Sequence, residues 1–333
     1  MASVDLSALD ASLKTRKAKG EELMVKKITD GWGKVAGFKK LRVIDSIVLG
    51  SMTFASLAQP GAKGQFNPKA NALKVAARIG KVRPAKIDLL ITEIERRELE
   101  ATYFAEVEGT NGRDPENFMF ADHINEHVVE MAGVDTLKAV WRGDLNPTGT
   151  AAVDICDGIV TLIDTDIASG DIPESAILEH SDNTFFLKEE NIISEIKKLV
   201  KIFRSQLPAY AYGAATLFMA PERVSEYEFA LEAANGQVNT YNSFNQMVLY
   251  FAKNIKIEAV IDLAGTDFMA IIPDGNLLYL TDRDAKKVSL DSDYNKRDRS
   301  IAMMADWDFA PNYYRSDLIT CNDLRARPAN AGV

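Results

Sequence analysis

The stretch KANALKVAARIGKVRPAKI, residues 69–87, decides how the fold of this chain is interpreted. It carries six Lys or Arg side chains and no acid, and the acid-free window reaches back to Ser46. From Leu73 onward the residues alternate with the period of a β-strand whose two faces differ, which predicts a half-buried strand. One face would carry Leu73, Val75, Ala77 and Ile79, and the other Lys74, Ala76 and Arg78.

Two further strand-like runs lie beside this strand in the sequence. Downstream, VRPAKIDLLIT carries Pro84 near its start, which favours an edge strand because proline donates no backbone hydrogen bond. Upstream, residues 41–57 (LRVIDSIVLGSMTFASL) are apolar and β-branched, and they predict a strand that enters a core. Together residues 52–92 predict a long two-stranded extension. An isolated two-stranded ribbon is marginally stable in water, so this one should need a neighbour to lie on.

Charge is distributed unevenly along the 333 residues. Residues 1–87 carry 17 Lys and Arg against 6 Asp and Glu, whereas residues 88–333 carry 22 against 42, within a formal net charge of -9. A basic head on an acidic body indicates either a nucleic-acid arm or a head-to-tail contact, in which the basic segment of one copy lies on the acidic surface of the next.

Composition and the remaining motifs exclude several classes of protein. A hydrophobic content of 47% predicts a globular fold with a sizeable core, and the polar start with no long apolar run predicts neither a membrane span nor a secretion signal. Cys156 and Cys321 are expected to be reduced thiols, not a disulfide framework or a zinc knuckle. Nucleotide-binding glycine loops and serine-hydrolase elbows are absent from the sequence, and no cofactor is expected.

The body of the chain predicts a mixed fold. Asp114 as the N-cap, Pro115 in the first turn and Gly143 past the end delimit a long helix over residues 115–142. Further patterns predict a helix ended by Gly170, another ended before Pro208, and a strand, a turn at Pro221 and then a helix. The last hundred residues are strand-like, and this order of strands, helices and strands predicts an α+β fold. The apolar stripe predicted for the long helix consists of Phe120, Ile124, Val128, Met131, Leu137 and Trp141.

One motif on this helix could indicate an enzyme. His123, Glu126 and His127 match the H-x-x-E-H signature, in which two imidazoles one turn apart share a zinc ion. The chain has only one other histidine, so a third ligand would have to be a carboxylate that no pattern singles out. Two polar histidines beside an apolar stripe are the better interpretation, and we predict no catalytic residues and no metal site.

The basic strip itself is better explained by contact between subunits than by nucleic acid. Proteins that bind single strands interleave aromatic residues for base stacking, but between Ala58 and Ile87 the only aromatic residue is Phe66. An alternating strand can instead bury its apolar face on a neighbour while its cations meet acids and select the register. The residues predicted to make this inter-subunit contact are Lys63, Lys69, Lys74, Arg78, Lys81, Arg83 and Lys86.

The order of elements resembles the major capsid proteins of tailed bacteriophages, which have the Hong Kong 97-type fold. The resemblance rests on a basic arm, a long extension rejoining the body at KIDLLITEIERRELEA, a long helix, a mixed domain and closing strands around DWDFAPNYYRSDLIT, with short echoes such as LFMAPERVSEYEFAL. The resemblance implies four parts. These are an N-terminal arm (1–50), an E-loop (51–92), a P-domain with a spine helix (93–154 and 284–333) and an A-domain (155–283).

The same resemblance implies a structural role without an active site. Subunits would form hexamers and pentamers of an icosahedral shell around double-stranded DNA, located in the virion and assembled in the bacterial host cytoplasm. Scaffold, portal and decoration proteins would be further partners, with no membrane contact. Encapsulin-type compartments share the fold and remain an alternative, and a zinc metallopeptidase through His123, Glu126 and His127 is a weaker one.

Overall fold

The structure is a computed structural model, which describes residues 38–54, 73–95, 97–98, 101, 120–178, 187–206, 213–235, 240–241, 246–282, 289–295, 297 and 300–322. The chain forms two compact units. The described residues of the first unit fall within Val82–Thr161 and Thr281–Ala310. Those of the second unit fall within Gly37–Lys81, Leu162–Leu280 and Pro311–Val333.

The elements are numbered along the chain. The strands are β1 (Lys39–Val43), β2 (Ser46–Phe54), β3 (Leu73–Lys81), β4 (Arg83–Ile91), β5 (Ile177–Leu178), β6 (Ala215–Met219), β7 (Val248–Leu249), β8 (Ala252–Ala259), β9 (Met269–Pro273), β10 (Leu277–Asp282), β11 (Ser289–Asn295), β12 (Ser300–Tyr313) and β13 (Thr320–Asn322). The helices are α1 (Phe120–Arg142), α2 (Ile159–Ser169), α3 (Ile192–Gln206) and α4 (Pro221–Asn235).

In the first unit, β12 lies between β4 and β11 and runs antiparallel to both. Its residues alternate between a buried and a more open face, as the sequence AMMADWDF predicts for a strand with one face on a core. β4 has β12 as its partner among the described strands, with Pro84 opposite Asp308. The prediction that the proline-containing run is an edge strand is confirmed.

Helix α1 ends at Arg142, directly before Gly143, as predicted, while residues 115–119 lie outside the described part of the chain. The predicted apolar stripe is only partly right. Ile124 and Trp141 are buried, but Met131 is 55% exposed. The buried face instead follows small residues such as Ala132 and Ala139, which allow the helix to approach its neighbours closely. The most hydrophobic positions of α1 are therefore not all on its packed face.

The second unit is built on a six-stranded sheet with the order β5-β13-β9-β6-β8-β7. β6 is parallel to β8, to which the chain returns through α4, and antiparallel to β9. Such a mixed sheet with its helices agrees with the predicted α+β class. The core of this unit is apolar and buried, and its largest fully buried side chains include Tyr227, Phe203, Leu187, Ile192 and Ile196.

The predicted helix ends of the second unit are confirmed. Helix α2 stops before Gly170, which has a φ of 79° and so occupies the left-handed conformation that glycine tolerates best. Helix α3 ends at Gln206, before Pro208, and α4 begins at Pro221. Proline in the first turn costs no hydrogen bond because that N–H has no helical partner.

The strand pairing of the predicted extension is different from the prediction. β3 pairs with β2, from Ser46 opposite Lys81 to Phe54 opposite Leu73, whereas β4 pairs with β12. Only Val82 separates β3 from β4, so the chain has no room to fold back between them. Gly80 and Lys81, where the sequence indicates a break between two runs, both belong to β3. Similarly, the run 41–57 contains two strands, β1 and β2, separated at Asp45, whose φ is 75°.

Two expectations from composition can be compared with the structure. Cys156 and Cys321 are free thiols and both are buried, as predicted. Burial raises the pKa of the Cys156 thiol to about 12, which keeps it protonated and unreactive at neutral pH. Among the described helices, none has the length and apolar character needed to cross a membrane.

Candidate assembly surface

The antiparallel pair β2 and β3, which we call the ribbon, has two faces of opposite character. Facing residues pair as Val48 with Ile79, Gly50 with Ala77, and Leu49 with Arg78. Since neighbouring residues of a strand point to opposite sides, the first two pairs share one face and the third pair lies on the other.

The free face of the ribbon, defined by Val48, Gly50, Ala77 and Ile79, is apolar and open to solvent. Val48 is 66% exposed and Ile79 is 69% exposed. Lys81, which pairs with Ser46 at the end of the ribbon next to β4, is an exposed cation on the same face. The ribbon therefore presents large β-branched side chains to water in the isolated subunit, which is unfavourable unless another surface covers them.

The opposite face of the ribbon packs against the rest of the second unit. Leu49 is buried, and Gly80 is packed so closely that a Cβ there would lie 2.6 Å from Cδ1 of the buried Leu280. The expectation that β3 is half-buried is thus met by the face that carries Arg78 and Gly80, with the apolar face outside. This reverses the usual arrangement of a surface strand.

Arg78 is held by three groups of the second unit. Its Nη1 donates a hydrogen bond to Oδ2 of Asp166 on α2, and its Nε donates to Oδ1 of Asn312 on β12 at 2.7 Å. The guanidinium also lies over the ring of Tyr313, 4.1 Å from the ring centre. The Tyr313 hydroxyl lies 2.5 Å from Oδ2 of Asp166, and burial raises the pKa of this phenol. We call Arg78, Asp166, Asn312 and Tyr313 the base cluster.

Close packing at Gly80 gives a first testable prediction. We expect Gly80→Ala to lower the free energy of unfolding by about 1–2 kcal/mol, because the new methyl group forces the Leu280 side chain from its position. Gly50→Ala is the matched control on the paired strand, since a Cβ at Gly50 would meet no atom within 4 Å. That variant should stay within about 0.5 kcal/mol of wild type. Urea unfolding measures both, and equal effects would contradict the packing described here.

The first unit has an open sheet face with acidic side chains around apolar ones. In the paired strands, Leu90 faces Ala302, which in turn faces Asp293. Leu90 and Asp293 are exposed, as are Met304 and Asp306 two and four residues along β12 from Ala302. Lys86, opposite Asp306, lies on the same face and pairs with Asp88. We call Asp88, Leu90, Asp293, Met304 and Asp306 the acidic face.

Comparisons with known proteins identify the fold. No protein-family model and no curated protein matches the chain. Among solved structures, a chain of the satellite phage P4 procapsid covers 90% of this chain and 98% of its own length at 11% identity, with a TM-score of 0.54. The capsid of Myoviridae phage XM1 covers 86% of this chain and 89% of its own at 11% identity and a TM-score of 0.53. This chain has the Hong Kong 97-type fold.

The Hong Kong 97-type fold extends to a cellular compartment protein among the matches. The SrpI encapsulin complex of Synechococcus elongatus covers 88% of this chain and 86% of its own at 7% identity, with a TM-score of 0.51. At such identities the likeness establishes the fold and its element order. It agrees with the fold class and the capsid-type architecture predicted from the sequence.

The predicted contact residues occupy different positions on this Hong Kong 97-type fold. Lys81 is exposed on the free face, and Arg83 is half-buried. Lys86 is exposed and forms an ion pair with Asp88, whose hydrogen bond raises the pKa of the Lys86 ammonium. Arg78 is engaged in the base cluster of its own subunit. Lys63 and Lys69 lie outside the described residues, as does the side chain of Lys74.

The histidine motif falls largely outside the described part of the fold. The backbone of α1 is described at all three positions, but the side chains of His123 and Glu126 are not. His127 is exposed, with its Nδ1 4.0 Å from Oε2 of Glu130. Among the described residues no group of three metal-ligating side chains comes together. The absence of a catalytic site remains a prediction.

Proposed function

We propose that this protein is the major capsid protein of a tailed bacteriophage, which self-assembles into an icosahedral shell around double-stranded DNA. The observation that carries the proposal is the apolar free face of the ribbon on a Hong Kong 97-type fold. The isolated subunit leaves Val48 and Ile79 exposed, and each contributes roughly 1.5–3 kcal/mol when fully buried. A neighbouring copy is the partner that a self-assembling shell supplies.

The acidic face is the surface we propose as the receiver of the ribbon. It combines apolar centres at Leu90 and Met304 with carboxylates at its rim, so that it complements a ribbon whose free face is apolar and ends in Lys81. Exposed ion pairs contribute only about 0–1 kcal/mol each, so the apolar contact supplies affinity while the charges select register. The inter-subunit role of Lys63, Lys69, Lys74 and Lys81 rests on this arrangement. Arg83 and Lys86 belong to β4, and Lys86 lies on the receiving face beside Asp88, so these two would act from the receiving side.

The four parts implied by the sequence are retained as a proposal with one refinement. For the E-loop, predicted at 51–92, strand pairing favours the ribbon bounds Ser46–Lys81, because β4 belongs to the sheet of β12. The arm, predicted at 1–50, then ends before Ser46, while the P-domain is kept at 93–154 and 284–333 and the A-domain at 155–283. In this plan α1 is the spine helix.

A shell role implies further partners, which we propose from the function and not from contacts. Hexamers and pentamers of this chain would close the shell, assisted by scaffold, portal and decoration proteins, and the packaged DNA would be held without sequence recognition. The mature location is the virion, with assembly in the host cytoplasm. No enzymatic activity is expected.

An encapsulin-like compartment is the second candidate, and the similarity to the SrpI encapsulin complex favours it over other classes. The contents of the particle discriminate between the two. Particles purified from the native source and treated with nuclease should retain double-stranded DNA if the protein is a phage capsid. Particles that contain a stoichiometric cargo protein and no protected DNA would establish the compartment, and the phage proposal would be wrong.

A further inference from the structure

We propose that the base cluster fixes the angle at which the ribbon leaves the subunit, and that Arg78 is thereby a positioning residue for assembly. The inference rests on the proposed function for its consequence in the shell. Its structural part, that Arg78 orients the ribbon, concerns the single subunit and can be tested separately.

Three separate segments of the second unit meet at the base cluster. Arg78 comes from β3, Asp166 from α2, and Asn312 with Tyr313 from the end of β12. Asn312 Oδ1 accepts from Arg78 Nε at 2.7 Å and also from the backbone N–H of Tyr313 at 2.8 Å, which fixes the orientation of its side chain. The cluster therefore joins a projecting element to two anchored ones through directed contacts.

The contacts to Arg78 fix the orientation of the ribbon, which apolar packing alone does not fix. Burial of Leu49 and the close approach of Gly80 to Leu280 hold the ribbon against the second unit, but hydrophobic contacts have little angular preference. Hydrogen bonds weaken steeply as their angle departs from linearity. Two N–H donors bound to different acceptors, with an aromatic ring against the guanidinium plane, specify the position and the tilt of β3 together.

The energetics of the cluster make it sensitive to loss of Arg78 alone. The Asp166 side chain is nearly buried and accepts from both Arg78 and Tyr313. Without the guanidinium, a buried carboxylate would lack its cation, which is the costly way to disrupt a buried pair. Lysine would keep the charge, but its ammonium lacks the planar fork that reaches Asn312 and stacks on Tyr313.

Small changes of angle at the base have large effects at the tip. Each ribbon strand has nine residues and so spans about 30 Å at 3.3–3.4 Å per residue. A tilt of roughly 10° at the base would displace the far end of such a strand by about 5 Å, comparable to one strand spacing. A ribbon held at one angle is already oriented to bind a neighbour in register. A ribbon that samples several angles must first be ordered, and the free-energy cost of this ordering weakens binding.

A distance measurement in unassembled subunits tests the orienting role. Spin labels at Lys74→Cys on β3 and Ile261→Cys in the second unit report the ribbon angle, and the native Cys156 and Cys321 are buried and should not react. Ile79→Glu is included in all samples to keep the subunits apart. We expect Arg78→Lys to shift or broaden the distance distribution by about 5 Å relative to its Arg78 parent. An unchanged distribution would overturn the proposal.

Arg315→Lys is the matched control. Arg315 has 22% side-chain exposure against 21% for Arg78, and it also forms a bidentate pair, with Asp317 two residues further along the chain. Because that pair is local, its loss should leave the spin-label distances unchanged. A shift equal to that of Arg78→Lys would show a general effect of arginine replacement and would count against the proposal.

A second variant covers the case in which Arg78→Lys does not fold. The double variant Arg78→Met with Asp166→Leu removes both charges, so no buried carboxylate is left unpaired. We expect a folded subunit with a broadened distribution, and a narrow wild-type distribution would again overturn the proposal.

Assembly assays without the Ile79 change test the consequence in the shell. Arg78→Lys should raise the protein concentration needed for assembly by about tenfold, because a ribbon that samples several angles must be ordered when it binds. Normal assembly by a subunit with a displaced ribbon would refute the functional part. If the wild-type protein forms no shells, the proposed function fails, while the distance measurement still decides whether Arg78 orients the ribbon.

Discussion

Ile79→Glu is expected to abolish shell assembly while leaving the subunit folded. Ile79 is 69% exposed in the single subunit, so the substitution should change the free energy of unfolding by no more than about 0.5 kcal/mol. At the proposed contact the same change removes roughly 1.5–3 kcal/mol of apolar burial and adds the cost of desolvating a carboxylate. The association constant of each contact would fall by roughly ten- to hundredfold. Sedimentation velocity measures assembly, and urea unfolding measures stability.

The matched control is Ile261→Glu, which introduces the same charge at an isoleucine that is 79% exposed and lies outside the ribbon. Shells should form from this variant at the wild-type concentration. Should Ile79→Glu assemble as well as Ile261→Glu, the free face of the ribbon would have no role in assembly.

Arg223→Met is expected to destabilise the subunit strongly, whereas Ile79→Glu should leave the subunit folded. Nε of Arg223 lies 3.0 Å from Oδ1 of the buried Asp267, and its Nη1 donates to the carbonyl of Leu187 and to Glu226, each at 2.6 Å. Removing the cation takes the guanidinium away from the buried Asp267 carboxylate and from the Leu187 carbonyl. We expect a loss of about 3–5 kcal/mol in the free energy of unfolding, measured with urea.

An exposed pair provides the control for this prediction. Arg97 pairs with Glu93 one helical turn away at 3.0 Å, and its side chain is 70% exposed. Arg97→Met should cost no more than about 0.5 kcal/mol because water already screens the pair. Equal losses for Arg97→Met and Arg223→Met would show that burial of Asp267 does not determine the effect.

Much of the fold could be predicted because local patterns and the tertiary structure agree. Glycine after α2 and proline at the start of α4 mark those helix ends through backbone conformation alone. The alternation of β3 likewise follows from the strand period. The α+β class followed from these local signals, whereas the capsid-type architecture followed from the resemblance of the element order to a known family.

The pairing of strands and the choice of faces could not be predicted in the same way. Whether β4 pairs with β3 or with β12 depends on contacts more than 200 residues apart. Arg78 was grouped with the basic contact residues because nothing near it in the sequence indicates Asp166 or Asn312, which are 88 and 234 residues away. Similarly, the stripe of α1 was misplaced at Met131 because periodicity does not reveal that small side chains line the packed face.

The two faces of the ribbon show which features of the structure the sequence alone determines. Alternation separates Ile79 from Arg78, and the sequence predicts that the apolar face is buried on a neighbour while the basic face meets the neighbour's acids. The structure differs for the basic face, since Gly80 and Arg78 occupy the side toward the second unit. An apolar face left outside becomes the main evidence for a partner.

Cryo-electron microscopy of the purified wild-type protein tests the central claim most directly, because it reports both the shell and the surroundings of the ribbon. We predict closed icosahedral particles in which Val48 and Ile79 are buried against another subunit. A protein that remains monomeric at all concentrations and salt conditions, or shells in which these two side chains face solvent, would contradict the account.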